Sequence, residues 1–201
     1  MLILEFMAVA VSAVYGSLMA ARARMDFVGS FTIAFLAALG GGSLRDLILD
    51  RHPLFWIGQP YYPITVFIIC IIVPFLIKFI SRIKPILLYP DSLGMALFTV
   101  VGTKIALDAQ DSNFIAVLLG TITGTFGGVL ADIVCNEVPS LFRPAPLCAT
   151  CAFCGAWIYV FGAMLCWEGP LLISVSVIFI VIFRIAAVVF DWRFPSVRQP
   201  D

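Results

Sequence analysis

Charge is what this sequence has least of. Twelve basic and twelve acidic side chains make up 12% of its 201 residues, where an ordinary soluble domain carries about 25%. Histidine occurs once, at His52, which cannot form a metal site by itself. No nucleophilic triad, phosphate-cradling loop or basic nucleic-acid patch is present. The chain is therefore not read as an enzyme or a nucleic-acid binder, and no cofactor is expected. Short segments of alternating polarity are missing too, which argues against an outer-membrane barrel.

What remains is 62% hydrophobic, with a mean hydropathy of +1.10. Such a chain has too little polar surface to be wetted all round, so a bilayer is its expected solvent. Seven apolar segments stand out: Leu2–Ala21, Phe27–Leu44, Trp56–Ile77, Ser92–Leu107, Ser112–Ala131, Pro144–Trp167 and Gly169–Phe190. Helices are expected, since isolated strands would leave backbone groups unpaired in lipid. The first segment lacks a basic flank and a small-residue cleavage site, so it is expected to be a retained span. Arg22, Arg24, Lys78, Arg82, Lys84, Arg143, Arg184, Arg193 and Arg198 would fall on one side of seven spans, Arg45 and Arg51 on the other. The positive-inside rule then puts the N-terminus outside and the C-terminus in the cytoplasm.

Two glycine-rich, acid-bearing segments organise the chain. Gly40, Gly41 and Gly42 precede Arg45 and Asp46; Gly127 and Gly128 precede Ala131 and Asp132. Sliding the chain on itself by 86 residues superposes Gly41, Gly42, Asp46 and Pro53 on Gly127, Gly128, Asp132 and Pro139. The same shift aligns Glu5 with Asp91, Gly16 with Gly102, and Ala20 with Ala106. Three spans per half, an odd number, force the second copy to enter the membrane inverted. The expected fold is all-α, with seven transmembrane helices: two inverted three-helix repeats, 1–83 and 84–168, then a seventh helix and short tail, 169–201. Inverted repeats of this kind are a recurrent plan for transporters, with sites near the midplane.

Glycines in membrane helices either let helices approach closely or loosen them. Gly16 and Gly102 are read as packing, and Gly40–Gly42 with Gly127–Gly128 as kinks. Carbonyls freed there would face a wet cavity and could coordinate ions. Asp46 and Asp132 end their helices on opposite faces, either as interfacial charges or as carboxylates that concentrate cations. Adjacent residues do not face each other on a helix, so Arg45 is expected to pair with another helix or with Asp50. Lys104 lies three residues from its span's end and either snorkels outward or acts on an ion path. Cys148, Cys151 and Cys154 resemble part of an iron–sulfur ligand run but lack a fourth ligand, and read better as small packing residues.

The first motif also carries a family resemblance. Gly40-Gly41-Gly42-Ser43-Leu44-Arg45-Asp46, followed by His52-Pro53-Leu54-Phe55-Trp56, resembles the GGGxxRD…hPxFW signature of prokaryotic trimeric intracellular cation (TRIC) channels, a family also described as glycine transporters. The resemblance implies a homotrimer with one hourglass pore per protomer for monovalent cations, lined by kinked second and fifth helices. It implies a gating role for a fourth-helix lysine, for which Lys104 is the counterpart by helix. It further implies a bacterial inner membrane, with membrane lipids as surroundings. The expectation is thus a passive channel for potassium and sodium, with Asp46, Asp132 and Arg45 near its mouths. A secondary transporter of a small amino acid such as glycine is the alternative. No TVGYG-type filter is present, so weak discrimination between the two ions is expected.

Overall fold

A computed structural model describes residues 1–77, 86–109, 112–142, 146–167 and 169–193. Lys78, Arg82, Lys84, Arg143 and Arg198, on which the orientation reading partly rests, lie outside these residues, as does Pro144. Seven helices are found among the described residues, and no strand: α1 (Leu2–Arg22), α2 (Phe27–Ile48), α3 (Tyr61–Ile77), α4 (Leu88–Ala109), α5 (Asn113–Val134), α6 (Ala149–Met164) and α7 (Pro170–Val189). Five are long and apolar enough to cross a membrane, while α3 and α6 have 17 and 16 residues. The protein is an all-helical integral membrane protein.

Several ends differ from the hydropathy reading, each for a local reason. Helix α2 runs past Leu44 to Ile48 because Arg45 and Asp46 are buried and paired, not wetted. Helix α3 starts at Tyr61, since residues 56–60 belong to a loop that packs back on α2. Helix α4 begins at Leu88 and includes Asp91, whose charge is met by Arg184. Helix α6 starts at Ala149, beyond Pro146.

The inverted repeat is visible in the contacts themselves. A Cβ on Gly16 of α1 would meet Ala34 Cα at 2.5 Å and Ala37 Cβ at 3.0 Å on α2. A Cβ on Gly102 of α4 would meet Thr123 Oγ1 at 2.5 Å and Gly120 Cα at 3.1 Å on α5. Positions 102, 120 and 123 are 16, 34 and 37 moved by the 86-residue shift. Helices α2 and α5 also end alike. Asp50 and Asn136 adopt positive φ, 51° and 56°, and Arg51 N–H and Glu137 N–H return to the Asp46 and Asp132 carbonyls at 2.8 and 2.9 Å. This is the left-handed closure that satisfies the last carbonyls of a helix, made here with Asp and Asn in place of glycine.

At the centre α2 crosses α5. A Cβ on Gly41 would strike the Thr123 carbonyl oxygen, and one on Gly127 would strike that of Ala37. The two contacts exchange under the repeat, so the crossing is antiparallel and sits on the pseudo-two-fold axis. Helix α7 has no counterpart and packs on α4 and α6. Its Ile180 fills the notch left by Gly155, and Leu172 the one left by Gly162. Buried threonines on α4 and α5 donate to carbonyls four residues back, as Thr99 does to Met95 at 2.7 Å and Thr123 to Leu119 at 2.6 Å. These threonine hydroxyls thereby sit between helices with their donors satisfied, whereas the buried Ser92 and Ser176 hydroxyls have no hydrogen-bond partner among the described residues.

Candidate functional site

The site consists of two polar regions, one on each side of the α2–α5 crossing. At the α2 end, Arg45 is fully buried. Its Nε donates to Asp46 Oδ1 at 2.9 Å, and its Nη2 lies 2.7 Å from the same oxygen as an ion contact without hydrogen-bond geometry. The expectation that Arg45 would avoid its neighbour is thus overturned. The arginine stem is long enough to curl around the last turn, and the Asp46 carboxylate it meets is buried. The other part of that expectation holds, because Nη2 also reaches Glu5 Oε1 on α1 at 3.5 Å. Asp50 pairs with His52 instead, at 3.2 Å, and Arg51 reaches Asp46 at 3.7 Å.

The loop after α2 closes this end. Phe55 N–H donates to Asp46 Oδ2 at 2.9 Å, and Trp56 Nε1 donates to Ser43 Oγ at 2.9 Å. The Phe55 ring lies against Gly42, where a Cβ would come within 2.6 Å of it, and 5.4 Å from the Arg45 guanidinium carbon. Both halves of the sequence signature are therefore one packed unit. Its glycine makes room for a ring, its aspartate holds the returning backbone, its serine accepts from the Trp56 indole, and its arginine stacks on the Phe55 ring.

The α5 end repeats the frame without the plug. Ser140 N–H donates to Asp132 Oδ2 at 2.9 Å, as Phe55 N–H does to Asp46. Leu141 stands where the shift would put Phe55, and a Cβ on Gly128 would meet nothing within 4 Å. A cavity of about 30 Å³ opens there, lined among others by Ser12, Tyr15, Asp91, Thr123, Thr125 and Gly128. It reaches Ala37 and Thr123 at the crossing. A water needs roughly 10–15 Å³ of such space, so the cavity holds about two. Asp91 in its wall is met by Arg184 of α7, Nη2 to Oδ2 at 3.5 Å. Just past α5, burial first, and then the charges of Asp132 and Glu137, push the Cys135 thiol above its ordinary value, with Arg22 opposing.

The structure thus places Gly41 and Gly127 at the crossing, Arg45 and Asp46 at the α2 end, Asp132 at the α5 end, and Gly128 on the cavity. The helix assignment of α2 and α5 is unbroken across Gly40–Gly42 and Gly127–Gly128. Gly40 faces Leu130, so three of the five glycines, Gly40, Gly41 and Gly127, serve the crossing. Lys104 lies apart from these residues. It pairs with Asp108 at 3.5 Å, one turn away, in a separate cleft between α4, α6 and α7. Sequence reasoning passed over Asp91 and Arg184 as site residues, though the alignment of Glu5 with Asp91 was the available signal. Cys148 touches Met95 sulfur at 3.6 Å and Cys151 donates to the Leu147 carbonyl. Among the described residues no group of His, Cys, Asp and Glu side chains is placed to hold a metal.

Known proteins share this architecture. The family model described as "Glycine transporter" matches twice, over residues 2–78 and 88–164, with starts separated by the same 86 residues. A UPF0126 membrane protein of Vibrio cholerae is 35% identical over 76% of this chain and 64% of its own length, so the match spans less than two thirds of that relative. The UPF0126 inner membrane protein YadS of Escherichia coli K12 is 32% identical over 76% of this chain and 74% of its own. The crystal structure of the TRIC trimeric intracellular cation channel orthologue from Rhodobacter sphaeroides superposes with a TM-score of 0.87 at 30% identity, over 95% of this chain and 98% of that one. A doubled family match, two curated relatives and a shared seven-helix inverted-repeat fold lead to one assignment: the chain belongs to the glycine transporter family, whose solved relatives are the TRIC channels.

Proposed function

We propose that this protein is a passive cation channel of the bacterial inner membrane, working as a homotrimer with one pore in each protomer. The observation that carries this reading is the antiparallel crossing of Gly41 and Gly127 with an acid-bearing polar region on each side. The likeness to a solved cation channel and the name of the Escherichia coli inner membrane relative support it. The pore follows α2 and α5, opening when bends at Gly40–Gly42 and Gly127–Gly128 part Gly41 from Thr123 and Gly127 from Ala37. Asp46 and Asp132 hold the two mouths, and Lys104 acts on gating from its cleft beside α4. The N-terminus and the Asp46 end face outward, while the Asp132 end and the C-terminus face the cytoplasm. Potassium and sodium pass with little discrimination, because threonine hydroxyls and carbonyls line the path and no rigid carbonyl filter is present. Segments 1–83 and 84–168 form the pore halves, braced by 169–201 and surrounded by membrane lipids.

The family description favours a second reading, secondary transport of glycine, which an inverted repeat also allows. Purified protein in a planar bilayer separates the two. Discrete current steps carried by potassium or sodium support the channel. Saturable glycine uptake into proteoliposomes without such steps sinks it.

A further inference from the structure

We propose that Arg184 on α7 is the counterpart of Arg45, supplying from outside the repeat the cation that position 131 lacks. In the first repeat Arg45 stands beside Asp46 and reaches Glu5 at 3.5 Å. In the second, position 131 is Ala131, fully buried and unable to hold a charge. The 86-residue shift turns Glu5 into Asp91, and Arg184 reaches Asp91 at 3.5 Å. Two equivalent carboxylates on equivalent helices therefore each meet one arginine, although the arginines come from unrelated places in the chain. Arg184 is held in place by the Pro146 and Leu147 carbonyls, to which Nη1 donates at 2.9 and 3.0 Å. Its side chain is 9% exposed, and its Nε has no hydrogen-bond partner, so its charge has few groups other than Asp91 to answer it.

The consequence rests on the channel reading. Asp91 is the carboxylate in the cavity wall, and a cation entering there meets its charge reduced by Arg184. Arg184 thus acts as a positioning residue that sets the net charge of the cavity. It also gives the seventh helix a function: α7 completes electrostatically a repeat that α4–α6 leave one cation short.

Single-channel conductance and the cation-to-anion permeability ratio of four variants test this. Asp91→Asn removes the negative charge and leaves Arg184 unanswered, so cation conductance falls by about threefold or more. Arg184→Gln leaves Asp91 unanswered, and cation preference over anions rises. The double variant returns both quantities toward wild type, and Arg184→Lys stays close to it. A merely structural role for the pair predicts instead that both single changes lower conductance alike, and that outcome overturns the proposal. Conductance of Asp91→Asn equal to wild type also overturns it, and this isosteric change serves even if Arg184→Gln does not fold. A wild-type protein that gives no current sinks the channel reading and this inference together, whereas a conducting wild type with unresponsive variants sinks this inference alone.

Discussion

Two neighbouring glycines offer a test that separates helix packing from ion passage. Gly127 sits at the crossing, where a Cβ would strike the Ala37 carbonyl oxygen, a backbone atom that cannot rotate away. Gly128 is one residue on and meets nothing within 4 Å because it faces the cavity of about 30 Å³. Gly127→Ala forces the two helices apart, an overpacking that costs about 1–3 kcal/mol. Gly128→Ala meets no such resistance and gains up to about 1 kcal/mol of helix propensity. Its methyl group, however, occupies much of a space that holds roughly two waters. Thermal unfolding in detergent, read together with bilayer current, decides the matter. The expected result is a lower midpoint for Gly127→Ala, and an equal or higher midpoint with reduced conductance for Gly128→Ala. If Gly128→Ala conducts like wild type, the cavity is not on the ion path. If it destabilises as much as Gly127→Ala, the geometry around α5 is misread.

Arg45→Gln takes the nearest cation from Glu5 and from the buried Asp46, leaving Asp46 only the half-exposed Arg51 at 3.7 Å, and is expected to cost about 3 kcal/mol in unfolding measurements. Phe55→Ala removes the partly buried ring over Gly42, so it lowers stability by less than the roughly 3–5 kcal/mol of a fully buried ring while raising conductance through the Asp46 end. Replacing all six cysteines is expected to leave current unchanged, since among the described residues none belongs to a group placed to hold a metal; lost current would revive a redox or metal role.

Much of the fold is written plainly in the hydropathy. Low charge isolates the spans, and the 86-residue shift exposes the inverted halves before any contact is known. Span ends are less legible, because a hydropathy window stops at any charge. Arg45, Asp46 and Asp91 lie inside helices only because each meets a partner distant in the chain or curled around the same turn. The glycines divide by environment. Gly41 and Gly127 share their sequence context with Gly42 and Gly128, yet only the opposing helix shows that they hold the crossing. Phe55 and Leu141 illustrate the same limit, since nothing in the chain alone says that one fills a notch and the other leaves a cavity open. The asymmetry between Arg45 and Ala131 was visible from the start, but its resolution required the position of Arg184 on a helix outside the repeat.

Reversal potential in a planar bilayer separates cation passage from anion passage and from glycine transport. With purified protein between unequal potassium chloride solutions, discrete steps are expected that reverse near the potassium equilibrium potential. With potassium opposed to sodium at equal concentration, the expected reversal is close to zero. A reversal near the chloride potential, or steady glycine uptake with no current steps, would contradict the channel reading.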